Sequence, residues 1–222
     1  MKIPSYKIFW SLILIIGGIL AAHSFFVLSH HFINTEFPDF LVQRMNVDAE
    51  ANIPTWFSTI LLFCVSITAF FIYRLVSVQP EVRSRWHKIW LGLGILYFLL
   101  SLDEAAQMHE LIDQLSDVKW VFIYAPVAAL TFLVFLYYFI VIRKRDGEIR
   151  NWIIGGLVVF AVGGLVFEWV TYTFHLPYAL RQIAYVAEEG LELFGTAMVL
   201  TGCLREFNKQ FEINYFKNVK AS

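Results

Sequence analysis

The sequence predicts an all-α membrane protein, a bundle of six transmembrane helices with the N- and C-termini in the cytoplasm. Hydrophobic residues make up 59% of the 222-residue chain, well above the roughly 45–50% apolar content of soluble domains. Six apolar stretches each have about the 20 residues that a helix needs to cross the hydrocarbon core. The predicted spans cover residues 8–30, 53–76, 89–112, 120–142, 152–174 and 182–204.

The distribution of Lys and Arg predicts the orientation. All of the 17 basic residues except Arg44, Lys119 and Arg181 lie in the N-terminus, in the loops after spans two and four, or in the tail after Leu204. Short loops rich in Lys and Arg stay cytoplasmic. We therefore expect one integral membrane domain over residues 1–222, with residues 205–222 as a cytoplasmic tail on the membrane surface. In a bacterium this membrane is expected to be the plasma (inner) membrane.

Several other classes of protein are disfavoured. The apolar run after Lys7 continues to Leu28, which is too long for the core of a cleaved signal peptide. Cys64 and Cys203 fall within predicted spans, so neither a disulfide nor a cysteine metal site is expected. The net charge is −1 and no basic face belongs to a solvated domain, so nucleic acid is not an expected partner.

Three predicted spans carry ionisable residues where hydrocarbon disfavours them. They are Asp103, Glu104, His109 and Glu110 in span three, Glu168 and His175 in span five, and Glu188, Glu189 and Glu192 in span six. A charged side chain at the bilayer centre costs about 2.5–3.5 kcal/mol on insertion scales, so such groups usually pair, bind ions or line a wet cavity. Together they are the predicted functional site.

Helical spacing groups these residues into stripes. At about 100° per residue, one face of span three contains Asp103 and Glu110. The same spacing joins Glu168 to His175 in span five. The predicted topology puts all of these groups at a similar depth, in the outer half of the membrane. Glu104 and Glu189 point away from the main stripes and are expected to contact neighbouring helices or another subunit.

Separated carboxylates repel one another at low dielectric constant, so a cation, shared protons or Arg181 must neutralise them. Carboxylate with imidazole suits zinc, iron or manganese better than copper(I). The spacings Glu-x-x-His and His-Glu-x-x-His are absent from the sequence. A divalent metal site therefore rests on convergence of side chains, with predicted ligands His109, Asp103, Glu168, His175 and Glu192.

A second cation site is predicted just before span two. Asp48, Glu50 and Asn52 alternate three oxygen-bearing side chains, a pattern compatible with a calcium-type loop but short of the EF-hand pattern. The alternative is helix capping by Asp48 or Asn52 ahead of Pro54.

Some of these residues resemble the membrane hydrolases of the alkaline ceramidase and progestin-receptor group. Ser101, His109 and Asp113 resemble the first part of the zinc site of that group, and the cluster from Asp48 to Asn52 resembles the ceramidase calcium loop. The late His-x-x-x-His of that group is absent, and the chain has six predicted spans rather than seven. The resemblance implies a zinc-dependent hydrolase.

Three functions remain open at the level of sequence. The first is a metal-dependent hydrolase acting on a lipid or amphipathic substrate, with Glu110 or Glu188 as the catalytic carboxylate that moves the proton. The second is a carrier or substrate-binding subunit for a cation or a small molecule. The third is an accessory or assembly subunit, as part of a homo-oligomer or a larger membrane complex. A carrier needs polar groups leading inward, and the main candidates are Ser66, Thr68, Thr196 and Thr201.

Overall fold

The computed structural model describes residues 2–29, 37–47, 49, 51–78, 87–142 and 147–221. These residues form helices and no strand, which confirms the all-α prediction. The α-helices are α1 (Ser5–His23), α2 (Asp39–Met45), α3 (Ile53–Ser77), α4 (Ile89–Ala106), α5 (Met108–Leu115), α6 (Trp120–Tyr137), α7 (Gly147–Ala161), α8 (Glu168–Thr173) and α9 (Tyr178–Ala221). Three π-helical turns extend them, at Ser24–Leu28, Tyr138–Ile142 and Val162–Phe167.

Within the described part of the chain, five helical stretches are long and apolar enough to cross a membrane, as in an integral membrane protein. They are Ser5–Val27, Ile53–Ser77, Ile89–Ala106, Trp120–Ile140 and Gly147–Thr173. Helix α9 is not among these candidates from the described residues, because charged residues border its apolar stretch on both sides. Glu188, Glu189 and Glu192 precede the stretch, and Arg205 and Glu206 follow it. The sixth span and the cytoplasmic termini stay predictions.

The third predicted span ends earlier than expected. We predicted one helix over residues 89–112, but α4 ends at Ala106 and Gln107 adopts a left-handed conformation with φ of 56°. A residue in this conformation cannot continue an α-helix, so α5 starts as a separate element at Met108. The predicted stripe from Asp103 to Glu110 on one continuous helix is therefore wrong, although both residues reach the same cavity.

The last helix is longer than expected. We predicted that span six ends at Leu204, yet α9 continues without a break for 44 residues. At about 1.5 Å per residue it is roughly 66 Å long, about twice the thickness of the hydrocarbon core. The segment after Leu204 is thus part of α9 rather than a separate surface helix. Its location on the cytoplasmic surface stays a prediction.

Helix α9 packs against α7, α3 and α1, and α3 packs against α4. Small residues bring α7 and α9 together, since a Cβ atom at Gly195 would lie 2.5 Å from the backbone nitrogen of Phe160 and 2.6 Å from the carbonyl oxygen of Gly156. Glycine commonly permits such close approach between membrane helices. The core beside this contact is apolar and contains fully buried Val65 and Leu93.

The bundle has two ends with different chemistry. At the terminal end, which we define as residues 2–7 with residues 205–212 of α9, the backbone of Ile3 exchanges two hydrogen bonds with the Asn208 side chain. The cavity end is formed by the end of α4, α5, the start of α6, the π turn before α8 and the start of α9. The predicted site residues belong to the cavity end.

Candidate functional site

An open cavity of about 370 Å³ lies at the cavity end. It gathers residues from helices α3 to α9, and many of its lining side chains are ionisable. Its polar lining consists of Asp103, Glu104, His109, Glu110, Asp113, Lys119, Tyr124, Glu168, Tyr185, Glu188, Glu189 and Glu192. The acidic groups predicted to share one depth therefore share one cavity.

Every predicted ligand or catalytic residue of the main site lines this cavity except His175. His175 is exposed, in the turn between α8 and α9, with φ of 21°. The spacing from Glu168 to His175 assumed a helix through residue 175, but α8 ends at Thr173. Past that point helical periodicity no longer determines direction, and the imidazole is placed away from the acidic groups.

The break at Gln107 places His109 next to Asp103. The Nδ1 atom of His109 lies 3.0 Å from Oδ2 of Asp103, and the Tyr124 hydroxyl donates to Oδ1 of the same carboxylate at 3.4 Å. Arg181, the alternative partner predicted for Asp103, is exposed and lies over the ring of Tyr178. Asp103 is therefore held by a histidine and a tyrosine, and it orients the imidazole of His109.

A second polar contact joins α5 to α6. Lys119 Nζ lies 2.5 Å from Oδ2 of Asp113, whose Oδ1 accepts the backbone N–H of Trp120 at 2.7 Å. Burial alone raises the pKa of Asp113, but the hydrogen bond and charge of Lys119 together with the Trp120 N–H lower that pKa below its ordinary value. The hydrogen bond to Asp113 raises the pKa of Lys119. Both groups are thus charged at neutral pH.

Glu192 lies beside the π turn at Val162–Phe167, against Gly163 and Gly164. A Cβ atom at Gly164 would collide with Oε1 of Glu192, so the absence of a side chain makes room for the carboxylate. Glu192 also interacts electrostatically with Glu104, Glu188, Glu168 and Asp103. Single π-helical turns frequently mark functional sites, and this one shapes the floor of the cavity.

Sequence reasoning missed several lining residues. Lys119 was one of three basic residues assigned to the outer side, and that rarity was the signal for it. Tyr124 lies in an apolar, aromatic helix and gave no signal. Glu104 and Glu189 were expected to face other helices or a subunit, yet both line the cavity. Their deviation from the stripes reflects a cavity that is wider than a single helix face.

The second predicted cation site is only partly described. Asp48 and Glu50 lie outside the described residues. Asn52 is the N-cap of α3, where its Oδ1 accepts the backbone N–H of Thr55 at 3.0 Å. Its amide also donates to the carbonyls of Asn46 and Ala49. For Asn52, the capping alternative is therefore confirmed.

The resemblance to the ceramidase group extends only partly to the geometry. His109 and Asp113 line the cavity, but the Ser101 hydroxyl donates to the carbonyl of Thr59 at 2.9 Å and is buried between α4 and α3. Among the described residues, no group of three His, Cys, Asp or Glu side chains is placed to hold a metal ion. The acidic groups converge without forming a finished coordination shell.

Comparison with known proteins adds a family but no function. No curated protein and no solved structure matches the chain. One family model matches residues 12–207, and it is described as a domain of unknown function, DUF8692. The match extends from α1 through the cavity end to the terminal end of α9. The chain belongs to the DUF8692 family.

Proposed function

We propose that the acidic cavity is the active site of a metal-dependent hydrolase that acts on a lipid or another amphipathic substrate within its membrane. The observation that carries this proposal is the convergence of eight carboxyl groups with the Asp103–His109 pair in one cavity. The plasma (inner) membrane is the location we propose for a bacterial chain.

The charge of the cavity supports binding of a cation. Its lining carries eight carboxyl groups, against one lysine and one histidine. Lys119 is bonded to Asp113 and also interacts with Glu168, so a single lysine faces eight carboxyl groups in this lining. Like charges at these separations repel strongly in a medium of low dielectric constant. A divalent ion of the zinc, iron or manganese type relieves that repulsion.

The Asp103–His109 pair supports a metal rather than a simple cationic ligand. Metal-binding histidines commonly donate one ring N–H to a carboxylate, which fixes the tautomer and directs the other nitrogen to the metal. Asp103 is placed to accept from Nδ1 of His109 in this way. In our proposal His109, Glu168 and Glu192, which do not form a closed ligand set without the ion, would hold it when it binds, and Asp103 would orient His109.

Two carboxylates are available to move a proton. A bound divalent ion activates water for hydrolysis by lowering the pKa of that water. Glu110 is exposed at the mouth of the cavity and Glu188 is partly buried inside it. Either position suits a general base, which must lie within hydrogen-bond reach of the attacking water.

The two faces of α5 support the proposal that the substrate is amphipathic. Its residues His109, Glu110 and Asp113 line the cavity, while Met108, Leu111 and Leu115 are exposed. A short helix with one polar and one apolar face is typical of the membrane interface. A substrate whose polar headgroup enters the cavity would keep its apolar part beside the exposed face of α5.

A carrier for a cation or small molecule remains the alternative, because the same acidic cavity would capture a cation. The hydroxyls expected to lead inward are bonded to helix carbonyls: Ser66 to Gly94, Thr196 to Glu192 and Thr201 to Ala197. None of these residues lines the cavity. The described core below the acidic groups is apolar, which favours chemistry at a fixed site over transport.

The deciding experiment is metal content together with hydrolysis. Protein purified in detergent without chelator is expected to contain close to one equivalent of a divalent transition metal by elemental analysis, and to hydrolyse short-chain phospholipid or ceramide analogues. Glu192→Gln is expected to lose the metal and Glu188→Gln to keep it but lose turnover. Asp117→Asn, an exposed acid on the same side that does not line the cavity, is the matched control.

The outcomes separate the three functions. The carrier hypothesis would replace the enzyme hypothesis if the cavity binds metal and proteoliposomes take up the cation, but no hydrolysis is detected. An accessory subunit would be favoured over both the enzyme and the carrier if the protein contains no metal, shows no activity, and has the same stability after Glu192→Gln.

A further inference from the structure

A second cavity, of about 360 Å³, lies at the terminal end of the bundle. It is enclosed by residues 2–7 on one side and by α9 from Arg205 to Glu212 on the other. Four of its lining residues are cationic and one is acidic: Lys2, Lys7, Arg205, Lys209 and Glu212. Its charge is opposite to that of the acidic cavity.

The walls of this basic cavity are fixed by hydrogen bonds. The N–H of Ile3 donates to Asn208 Oδ1 at 2.9 Å, and Asn208 Nδ2 donates back to the Ile3 carbonyl at 2.8 Å. Two reciprocal bonds hold the start of the chain against α9. The cations are therefore gathered by a defined backbone arrangement rather than by chance on a surface.

Arg205 has an unused donor inside this arrangement. Its Nη2 atom lies 2.6 Å from Oε2 of Glu148, and its guanidinium group lies 4.5 Å from the ring centre of Tyr6. Its Nη1 atom is buried without a hydrogen-bond partner among the described residues. Arg205 nevertheless lines the basic cavity with part of its side chain exposed, and guanidinium groups bind phosphate with good geometry.

The surroundings place the basic cavity beside an aromatic belt. Tyr6 and Trp10 of α1 are largely exposed, and Trp152 of α7 packs on Phe9. Exposed Trp and Tyr side chains sit at headgroup level in membrane proteins. Basic pockets between transmembrane helices bind the headgroups of anionic lipids.

We propose that the basic cavity binds an anionic phosphate group, supplied by the headgroup of an anionic phospholipid or by a free phosphate ester. In this proposal the ammonium groups of Lys7 and Lys209 contact the phosphate, and the guanidinium charge of Arg205 attracts it. Lys2 stays with Glu212, from which it is separated by 2.9 Å. This site is independent of the function proposed for the acidic cavity.

The test compares two double variants of the full chain in a neutral detergent. Lys7→Gln with Lys209→Gln removes two cations from the basic cavity and leaves Arg205 with Glu148. Arg44→Gln with Arg181→Gln removes two exposed cations that do not line the basic cavity and is the matched control. Thermal unfolding is measured with phosphatidylglycerol, with phosphatidylcholine and with glycerol phosphate as the added probe.

Phosphatidylglycerol is expected to raise the unfolding temperature of the parent and of the control by about 3 °C or more beyond phosphatidylcholine, as a ligand that binds only the folded state does. The Lys7→Gln and Lys209→Gln variant is expected to lose this difference. The same saturable rise with glycerol phosphate alone would identify a free phosphate ester as the ligand. Equal responses to the two lipids without a response to glycerol phosphate, or a full response in the Lys7→Gln and Lys209→Gln variant, would overturn the proposal.

Discussion

The two ends of this bundle handle charge in opposite ways. At the cavity end, like charges are held together, with Glu188 and Glu192 facing acids of other helices across one cavity. At the terminal end, unlike charges are paired, with Arg205 beside Glu148 and Lys2 beside Glu212. Paired charges stabilise a fold modestly, whereas clustered like charges destabilise it until something neutralises them.

One helix serves both ends, and this makes the comparison informative. Helix α9 contributes Glu188 and Glu192 at its start and Arg205 more than three turns later. Its neighbours decide the outcome, since α4 and the π turn bring more acids to the first pair while α7 brings Glu148 to Arg205. We infer that the cavity end is built for a cationic ligand and that the ion pairs of the terminal end hold the walls of the basic cavity in place.

The largest expected loss of stability comes from disrupting the contact of α7 with α9, because these two helices contribute to both ends of the bundle. In Gly195→Ala the new Cβ would meet backbone atoms of Phe160 and Gly156 at 2.5 Å and 2.6 Å, and backbone cannot move aside. We expect a loss of stability of about 3 kcal/mol or more, seen as a lower unfolding temperature in detergent. Gly17→Ala, with nothing within 4 Å of the added atom, is the control and should not be destabilised. Equal unfolding temperatures for the two variants would contradict the close contact.

The next effect should differ in sign between the ends. Without added metal and with chelator present, Glu192→Gln removes one buried carboxyl group from the acidic cluster and is expected to raise stability by about 1 kcal/mol. Glu148→Gln removes the partner of Arg205 and is expected to lower stability by about 0.5–1 kcal/mol, a small value because Glu148 is half exposed. Chemical unfolding in detergent measures both changes. If both substitutions change the free energy of unfolding in the same direction, the proposed difference in charge handling between the two ends is wrong.

A smaller effect is expected from pH at the Asp113–Lys119 contact. The folded pKa of Asp113 is lowered, so its contribution is present above the unfolded pKa of about 3.9 and is lost as pH falls through the folded value. The folded pKa of Lys119 is raised, so its contribution is present below about pH 10.4 and is lost as pH rises through the folded value. His109, Glu168 and Tyr172 are the other titratable groups that interact with this pair.

We therefore expect the unfolding temperature of the parent to exceed that of Asp113→Asn by a constant amount between about pH 5 and pH 9. The difference should correspond to about 1 kcal/mol, because both side chains are partly exposed and screened. It should shrink toward pH 3. A difference that does not change down to pH 3 would show that the charge of Asp113 is not what stabilises the contact.

The smallest effect is expected at the outermost pair. Lys2 and Glu212 lie 2.9 Å apart, but their side chains are 71% and 48% exposed. Exposed pairs of this kind contribute about 0–1 kcal/mol. Lys2→Gln should therefore change the unfolding temperature by less than the error of a scan, and raising the salt concentration should not alter that result. A clear loss of stability would mean that the terminal end depends on its outer charges as well as on Arg205.

Much of the fold followed from local patterns. The apolar stretches that predicted spans two and four coincide closely with α3 and the helix from Trp120 to Ile140. The break at Gln107 had no signal, because glutamine rarely adopts the left-handed conformation. The end of α8 at Thr173 was also missed, and with it the direction of His175.

The sequence by itself determined that apolar helices carry acids at helical spacing, because hydropathy and periodicity are properties of neighbours along the chain. Only the tertiary structure decided which of these groups meet. His109 reaches Asp103 through the break at Gln107, Lys119 reaches Asp113 across a turn, and Gly164 makes room for Glu192 on another helix. These contacts depend on how helices pack and where they end, and a one-residue shift in a helix end turns a side chain by about 100°.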